Sequence, residues 1–334
     1  MSPRVALAEA FLATTDWAGC AMRPLAGDAG NRAYYRLTSA AGHPAVLMDA
    51  PPEKGEDVRP FLAIDRWLVA QGLSAPQIFA EDIPNGFLLI EDLGDGLYAR
   101  LVETDPALEA PIYEAAIDAL LEITAAEPPE LEPYDAQTMP PLAGLAGRWY
   151  ADDLHLADDI TAETARVLSH LPTVPPTLTL RDFHAENLLW LPDRRGAARV
   201  GLLDFQDARK GHPAYDVASL LRDARRDVPD ELQARLSDRF SAGLGWNRDE
   251  TALALAAQGA QRNLRILGVF ARLSLHFAKP NYVDLIPRVW RNLNAQLAHP
   301  DLAELRRVVA QLPQPTATHL QDLKDRCGTI PTLA

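Results

Sequence analysis

Two short apolar runs, with acidic and amide residues fixed just outside them, leave residues 180–206 little choice of local fold. Leu188-Leu189-Trp190 and Val200-Gly201-Leu202-Leu203 flank a polar turn running from Asp193 to Gly196. That is the pattern of an antiparallel hairpin. Closing it carries Asp204, just past the second run, back beside Asn187, just before the first. Asp182 lies upstream of Asn187 in Leu180-Arg181-Asp182-Phe183-His184-Ala185-Glu186-Asn187. A turn in which Asp182 and Asn187 bond only local backbone would explain those two residues, but not the returning Asp204.

A carboxylate, an amide and a second carboxylate in this order are what phosphoryl transfer asks of a protein. Asp182 would orient an acceptor hydroxyl. Asn187 and Asp204 supply oxygens for a magnesium ion held against nucleotide phosphates, so ATP and Mg2+ are the expected cofactors. His184 is placed to contact the moving phosphoryl group or to brace Asp182. Asp216, in Gly211-His212-Pro213-Ala214-Tyr215-Asp216, should start a helix and accept N–H bonds from the loop around Asp182, a supporting role that an ordinary N-cap aspartate could also fill.

The rest of the chain limits the alternatives. Its 334 residues suggest two domains or one bilobal unit. The formal charge of −14 argues against non-specific nucleic-acid binding. Cys20 and Cys327 have neither disulfide-framework nor metal-ligand spacing and fit a reducing compartment. The opening Met1-Ser2-Pro3-Arg4 lacks a signal-peptide pattern. No run approaches the ~20 apolar residues of a membrane span. A cytoplasmic protein with no membrane association and no obligate protein partner is expected.

Ser2-Pro3 opens a helix to about Thr14. Strand-like runs at 33–38 and 44–49, a helix over 56–71 with Phe61, Ile64 and Leu68 on one face, and runs near 77–81 and 86–91 describe a small α+β unit on an antiparallel sheet. Beyond Gly94 the pattern is mostly helical. A helix starts at Asp105-Pro106, prolines over 128–141 break it, and a long helix spans 250–277. Residues 311–334, with several Pro and Thr, read as a loosely held tail. The division falls near residue 93, giving 1–93 as one lobe and 94–334 as the other.

The chain resembles the aminoglycoside phosphotransferase and choline-kinase-like superfamily, which has the bilobal protein-kinase fold. Within it, the resemblance is to bacterial anomeric kinases of N-acetylmuramate and N-acetylglucosamine. The matching stretches include Gly30-Asn31-Arg32-Ala33-Tyr34-Tyr35-Arg36, Met48-Asp49-Ala50-Pro51-Pro52-Glu53, Leu88-Leu89-Ile90-Glu91-Asp92-Leu93-Gly94, Asp223-Ala224-Arg225-Arg226-Asp227 and Gln261-Arg262-Asn263-Leu264-Arg265. The resemblance implies a phosphate-covering turn from Gly27 through Gly30 to Asn31 and Arg32. It implies a hinge from Glu91 to Leu93 that binds adenine through backbone groups, and a phosphotransferase acting in cell-wall recycling. The helical lobe should supply the acceptor site. Arg225, Arg262 and Arg265 are candidates there, and an arginine face formed by Arg262, Arg265 and Arg272 suits the lactyl carboxylate of N-acetylmuramate.

There are two departures from the superfamily pattern. Leu180 replaces the histidine usual two positions before the catalytic aspartate. The third strand, ending Val46-Leu47-Met48-Asp49, lacks the lysine that steadies the α- and β-phosphates, leaving Lys54, Arg32 or Arg36 as substitutes. Rival readings are an aminoglycoside or other small-molecule kinase, and a non-catalytic nucleotide-binding module. A protein kinase is disfavoured because only twelve positions part Asp204 from Asp216.

Overall fold

The apolar runs at 33–38 and 44–49 form the middle of a five-stranded antiparallel sheet in the computed structural model, which describes residues 3–25 and 31–330. Its strands are β1 (Arg23–Pro24), β2 (Ala33–Thr38), β3 (Pro44–Asp49), β4 (Ile78–Asp82) and β5 (Phe87–Ile90), in the order β1-β2-β3-β5-β4. Alternation along the strands gives the sheet two distinct faces. Leu37, Ala45, Leu47, Phe87 and Leu89 share one face with Ala8, Phe11 and Leu12 of helix α1 (Pro3–Leu12). Arg4 of α1 pairs with the buried Asp49 and lies 4.3 Å over the Phe87 ring. Ser2, expected to cap α1, is outside the described residues.

Helix α2 (Arg59–Ala70) starts three residues later than the sequence pattern suggests, since Pro60 is tolerated only in a first turn. It turns Phe61, Ile64 and Leu68 inward as expected, and Asp65 with them. Asp65 is 2% exposed and one of its carboxylate oxygens has no hydrogen-bond partner. Helix α3 (Tyr98–Thr104), which the sequence pattern did not announce, precedes α4 (Glu109–Ala125). β6 (Pro133–Tyr134) and β7 (Thr177–Thr179) flank β10 (Arg209–Gly211) in a three-stranded sheet, while β8 (Leu188–Trp190) and β9 (Val200–Leu202) form the expected hairpin.

Contacts group the chain into two compact units, Met1–Ala119 with Glu186–Ala208, and Leu120–Ala185 with Arg209–Ala334. This grouping is not a single cut near residue 93. The hairpin belongs with the first unit because its backbone bonds there: Leu202 N–H donates to the Ser74 carbonyl at 2.9 Å, and Trp190 N–H to that of Gly96 at 2.7 Å.

The second unit is built on helices α5 (Pro140–Ala143), α6 (Leu154–Ser169), α7 (Ala214–Leu221), α8 (Asp230–Leu244), α9 (Arg248–Leu275), α10 (Ile286–Leu297), α11 (Ala303–Val309) and α12 (Ala317–Asp325). Ala260, Leu264, Leu267 and Ala271 of α9 sit in a core shared with Tyr150, Ile160, Leu293 and Leu297. Backbones approach closely at Gly268, where an added Cβ would come within 2.3 Å of the Leu145 carbonyl carbon. The expected loose tail is instead docked as far as Ile330. Leu323 is buried in the same core, its carbonyl accepts from Ser274 Oγ at 2.8 Å, and Ile330 N–H donates to the Leu275 carbonyl at 3.1 Å. Apolar residues at 320 and 323 outweigh the Pro and Thr content. Among the described residues no helix is long and apolar enough to cross a membrane.

Burial pushes the Asp65 carboxyl up to about 7, with Glu91 adding to the rise and Arg66 opposing it. A raised folded-state value means the stabilising contribution is full below the unfolded value near 4 and is lost as pH rises through about 7. Asp65→Asn should therefore raise the melting temperature by several degrees at pH 8 relative to the parent. The gain should vanish near pH 4, as thermal unfolding at the two pH values would show.

Candidate active site

In the first unit the hairpin ladder sets the site. Leu188 pairs with Leu202, Leu189 with Gly201 and Trp190 with Val200, and Leu203 N–H donates to the Asn187 carbonyl at 3.0 Å. Asn187 and Asp204 are thereby neighbours, with Asn187 Nδ2 donating to Asp204 Oδ2 at 3.4 Å. Gln206 Nε2 holds the other oxygen, Oδ1, at 2.7 Å. Asp204 has a left-handed backbone, φ 56°, a conformation costing a non-glycine residue on the order of 1–3 kcal/mol. The ladder on one side and Gln206 on the other keep it there.

Gly201 leaves space for the hinge segment. A Cβ at that position would lie 3.0 Å from Leu189 Cβ and 3.2 Å from Leu93 Cδ1. Glu91 is bound on both sides: its N–H donates to the Gln77 carbonyl at 2.8 Å, and its carboxylate accepts from Arg194 Nη2 at 2.5 Å and from Gln77 N–H at 3.2 Å. Arg194 also donates to Ser74 Oγ at 2.6 Å. The Glu91 side chain thus ties the end of β5 to the hairpin turn, a use the sequence did not reveal. The Glu91 N–H is committed to Gln77.

Gly27 and Gly30 lie outside the described residues. Asn31 follows, its N–H donating to Glu56 Oε1 at 3.4 Å and its Nδ2 to the Lys54 carbonyl at 3.2 Å. Arg32 Nε donates to Glu56 Oε2 at 2.8 Å. Arg36, one of the proposed lysine substitutes, is fully engaged elsewhere. Its Nε is 2.7 Å from Asp92, and its Nη atoms bond Asp95 at 3.1 and 2.9 Å.

In the second unit Asp182 sits among cations. Burial would push its carboxyl up, but Arg265, Arg262, His184 and Arg181 together hold it below the ordinary carboxylate range. Arg262 is 3% exposed, with Nε and Nη1 lacking hydrogen-bond partners. Arg265 Nη1 donates to the Tyr215 hydroxyl at 3.3 Å, and that hydroxyl lies 3.3 Å from the one on Tyr134. Arg272 does not join them; it lies 5.8 Å over the Phe277 ring. The face of three arginines expected from spacing therefore places two at Asp182 and one two turns further along α9.

His184 is buried, and burial lowers it to about 4 against the opposing charge of Asp223. It stays neutral at ordinary pH, with Nε2 3.3 Å from Arg225 Nη1. Asp216 lies in the first turn of α7 and does not cap that helix. Its two oxygens accept the N–H groups of Leu180, at 2.6 Å, and Arg181, at 2.9 Å. Arg181 carries the second strained backbone of the loop, φ 72°, so Asp216 clamps the turn that presents Asp182. Buried Leu180 takes the position of the usual histidine by packing alone.

A five-stranded antiparallel sheet followed by a mostly helical remainder is the protein-kinase-like fold of small-molecule kinases. Residues 21–255 match the phosphotransferase enzyme family named APH, and the chain belongs to that family. The N-acetylmuramate/N-acetylglucosamine kinase of Caulobacter vibrioides is 40% identical to it, covering 91% of this chain and 95% of that protein. The enzyme of the same name from Pseudomonas aeruginosa is 32% identical, covering 87% and 88%. Among solved structures, an amicoumacin kinase in complex with AMP-PNP and Ca2+ has a TM-score of 0.59 at 13% identity, covering 98% of this chain and 94% of its own, a likeness of fold.

Asp216→Ala would leave the N–H groups of Leu180 and Arg181 without an acceptor, a loss on the order of 3 kcal/mol. Urea unfolding should register that loss. The catalytic rate constant should fall by ~10- to 100-fold as Asp182 shifts.

Proposed function

We propose that this kinase transfers the γ-phosphoryl group of ATP, with magnesium, to the anomeric hydroxyl of an N-acetylated amino sugar, N-acetylmuramate or N-acetylglucosamine or both, in cell-wall recycling. The observation that carries the reading is the hairpin register that sets Asn187 beside Asp204, supported by the two relatives named for these sugars.

The proposal gives Asp182 the acceptor hydroxyl, and Asn187 and Asp204 the magnesium nucleotide. Asp182 accepts a hydrogen bond from the acceptor hydroxyl and holds it in line. A carboxylate kept below its ordinary range is a weak base, so its work is orientation, which suits the loose transition state of phosphoryl transfer. His184, neutral, braces the loop through Arg225. Arg262, Arg265 and Arg225 line the acceptor side, and the arginines at Asp182 offer donors to an anionic or carbonyl oxygen.

Asn187 and Asp204 fit a hard, oxygen-seeking cation: both bear side-chain oxygens, and turning over the Asn187 amide presents Oδ1 where Nδ2 now meets Asp204. Two protein ligands also match the way magnesium leaves positions to phosphate oxygens and water. Among the described residues no cluster of three or more His, Cys, Asp or Glu offers a fuller cage. Bound there, magnesium would neutralise phosphate charge. The chain up to about residue 93 would serve as the nucleotide lobe, with the Glu91 carbonyl and Leu93 N–H on adenine and Gly27, Gly30, Asn31 and Arg32 toward the phosphates. An enzyme drawing on ATP belongs in the cytoplasm.

A coupled ATP-turnover screen against amino sugars, neutral hexoses, choline and aminoglycosides tests the reading. Turnover should be confined to the N-acetylated sugars, with phosphorus NMR placing the product phosphate at C1. Strong turnover with an aminoglycoside alone would overturn it. Asp182→Asn should abolish turnover and leave nucleotide affinity, measured by calorimetry, within about twofold. In the parent enzyme Asp182 keeps its charge as pH falls from 8 to about 5, so a fall in the rate constant centred near pH 7 would report the Asp216 clamp, and Asp216→Asn should remove that inflection.

A further inference from the structure

The missing strand lysine poses a physical question that the sheet geometry answers. Along β3, Ala45 and Leu47 face α1, and Asp49 continues that side by pairing with Arg4. Val46 and Met48 therefore point to the opposite face, where their cross-strand neighbours on β2 are Arg36 and Tyr34. Neither face of β3 presents a cation. Arg32 lies two residues before Tyr34, immediately ahead of β2, and the period of two places it on the Met48 face.

Three cations compete for the vacant role. The Arg36 guanidinium is held by Asp92 and Asp95, at the hinge end of the strand. Lys54 is exposed in a short turn, Pro52–Lys54, and among the described residues no carboxylate fixes its ammonium. Arg32 is three-quarters sheltered or more, its side chain 13% exposed and its partner Glu56 16%. Glu56 takes the Nε of the guanidinium at 2.8 Å and reaches the Asn31 N–H with its other oxygen, and the Tyr34 hydroxyl also bonds the guanidinium. One carboxylate thus fixes both the cation and the end of the glycine-rich turn.

We propose that Arg32 is the phosphate-binding cation of this enzyme and Glu56 its positioning residue, a lysine–glutamate pair relocated from the third strand and following helix to β2 and the loop before α2. The inference rests on the ATP-binding part of the reading above, not on the sugar. Arg32 and Arg36 are four residues apart on one strand face, about 13 Å at the usual rise per residue. That separation is comparable to an extended nucleoside diphosphate lying with its base at the hinge and its phosphates at Arg32. A guanidinium has five N–H donors, so one oriented by Glu56 and Tyr34 still has N–H groups to offer phosphate oxygens.

Calorimetry with adenosine and with MgADP separates this role from a structural one, and needs no sugar. The parent should bind MgADP more tightly than adenosine. Arg32→Ala should weaken MgADP by about tenfold or more, as loss of a charge-assisted contact implies, while adenosine changes by less than about twofold. Glu56→Gln should show the same pattern at a smaller factor, and Arg32→Lys should recover part of the loss. Adenosine binding reports that each variant is folded. Equal weakening of adenosine and MgADP, or no change in either, would overturn the assignment, as would selective weakening of MgADP by Lys54→Ala but not by Arg32→Ala. If the sugar screen fails while the nucleotide series behaves as described, only the acceptor assignment falls.

Discussion

Three ladder pairs between residues 188–190 and 200–202 set the geometry on which the candidate chemistry depends. Side-chain period in a strand is two, so a slip of one residue would turn Asn187 and Asp204 to opposite faces. The register resists slippage because it is fixed from several sides. Gly201 sits so close to Leu189 and Leu93 that an added Cβ would crowd both, Leu202 and Trp190 bond backbone outside the hairpin, and Arg194 anchors the turn to Glu91 and Ser74. A strained Asp204 backbone persists only in such a surrounding.

The second unit solves a different problem, keeping charge in a buried place. Asp182 and Asp216 are both sheltered, one within the loop and the other bonded to it from α7, yet they are treated oppositely. Guanidiniums hold Asp182 low, while Asp216 is raised to about 7 by burial, with two backbone N–H bonds only partly offsetting it. Two carboxylates facing one loop are easier to bury when their proton affinities diverge. Placing Arg262 and Arg265 of α9 near Asp182 accomplishes that divergence.

Much of this was legible in the sequence where local pattern and global fold agree. β2 and β3 coincide with the expected runs because glycines and prolines bound them, and α9 matches its long apolar period. The Asp182, Asn187 and Asp204 positions could be singled out because their spacing encodes a hairpin. What could not be read depends on partners distant in the chain. α3 is short, with no Ser, Thr, Asp or Asn at its cap. Glu56 looks like any loop acid until Arg32 is beside it, and Arg36 looks like a free cation until Asp92 and Asp95 enclose it. The C-terminal segment looked loose because composition does not show that Leu323 has a cavity waiting in the helical core.

That docked segment has a mechanical consequence. α9 is a single rod of 28 residues, about 42 Å long. Its final turn, at Ser274 and Leu275, grips the chain terminus, while Arg265 stands some nine residues away, about 14 Å along the same axis. Gly268 locks the rod against the Leu145 backbone between those two points. Any strain placed on the terminus, whether by shortening it or by fusing a bulky extension to it, is transmitted along a stiff lever to the charges that keep Asp182 ionised.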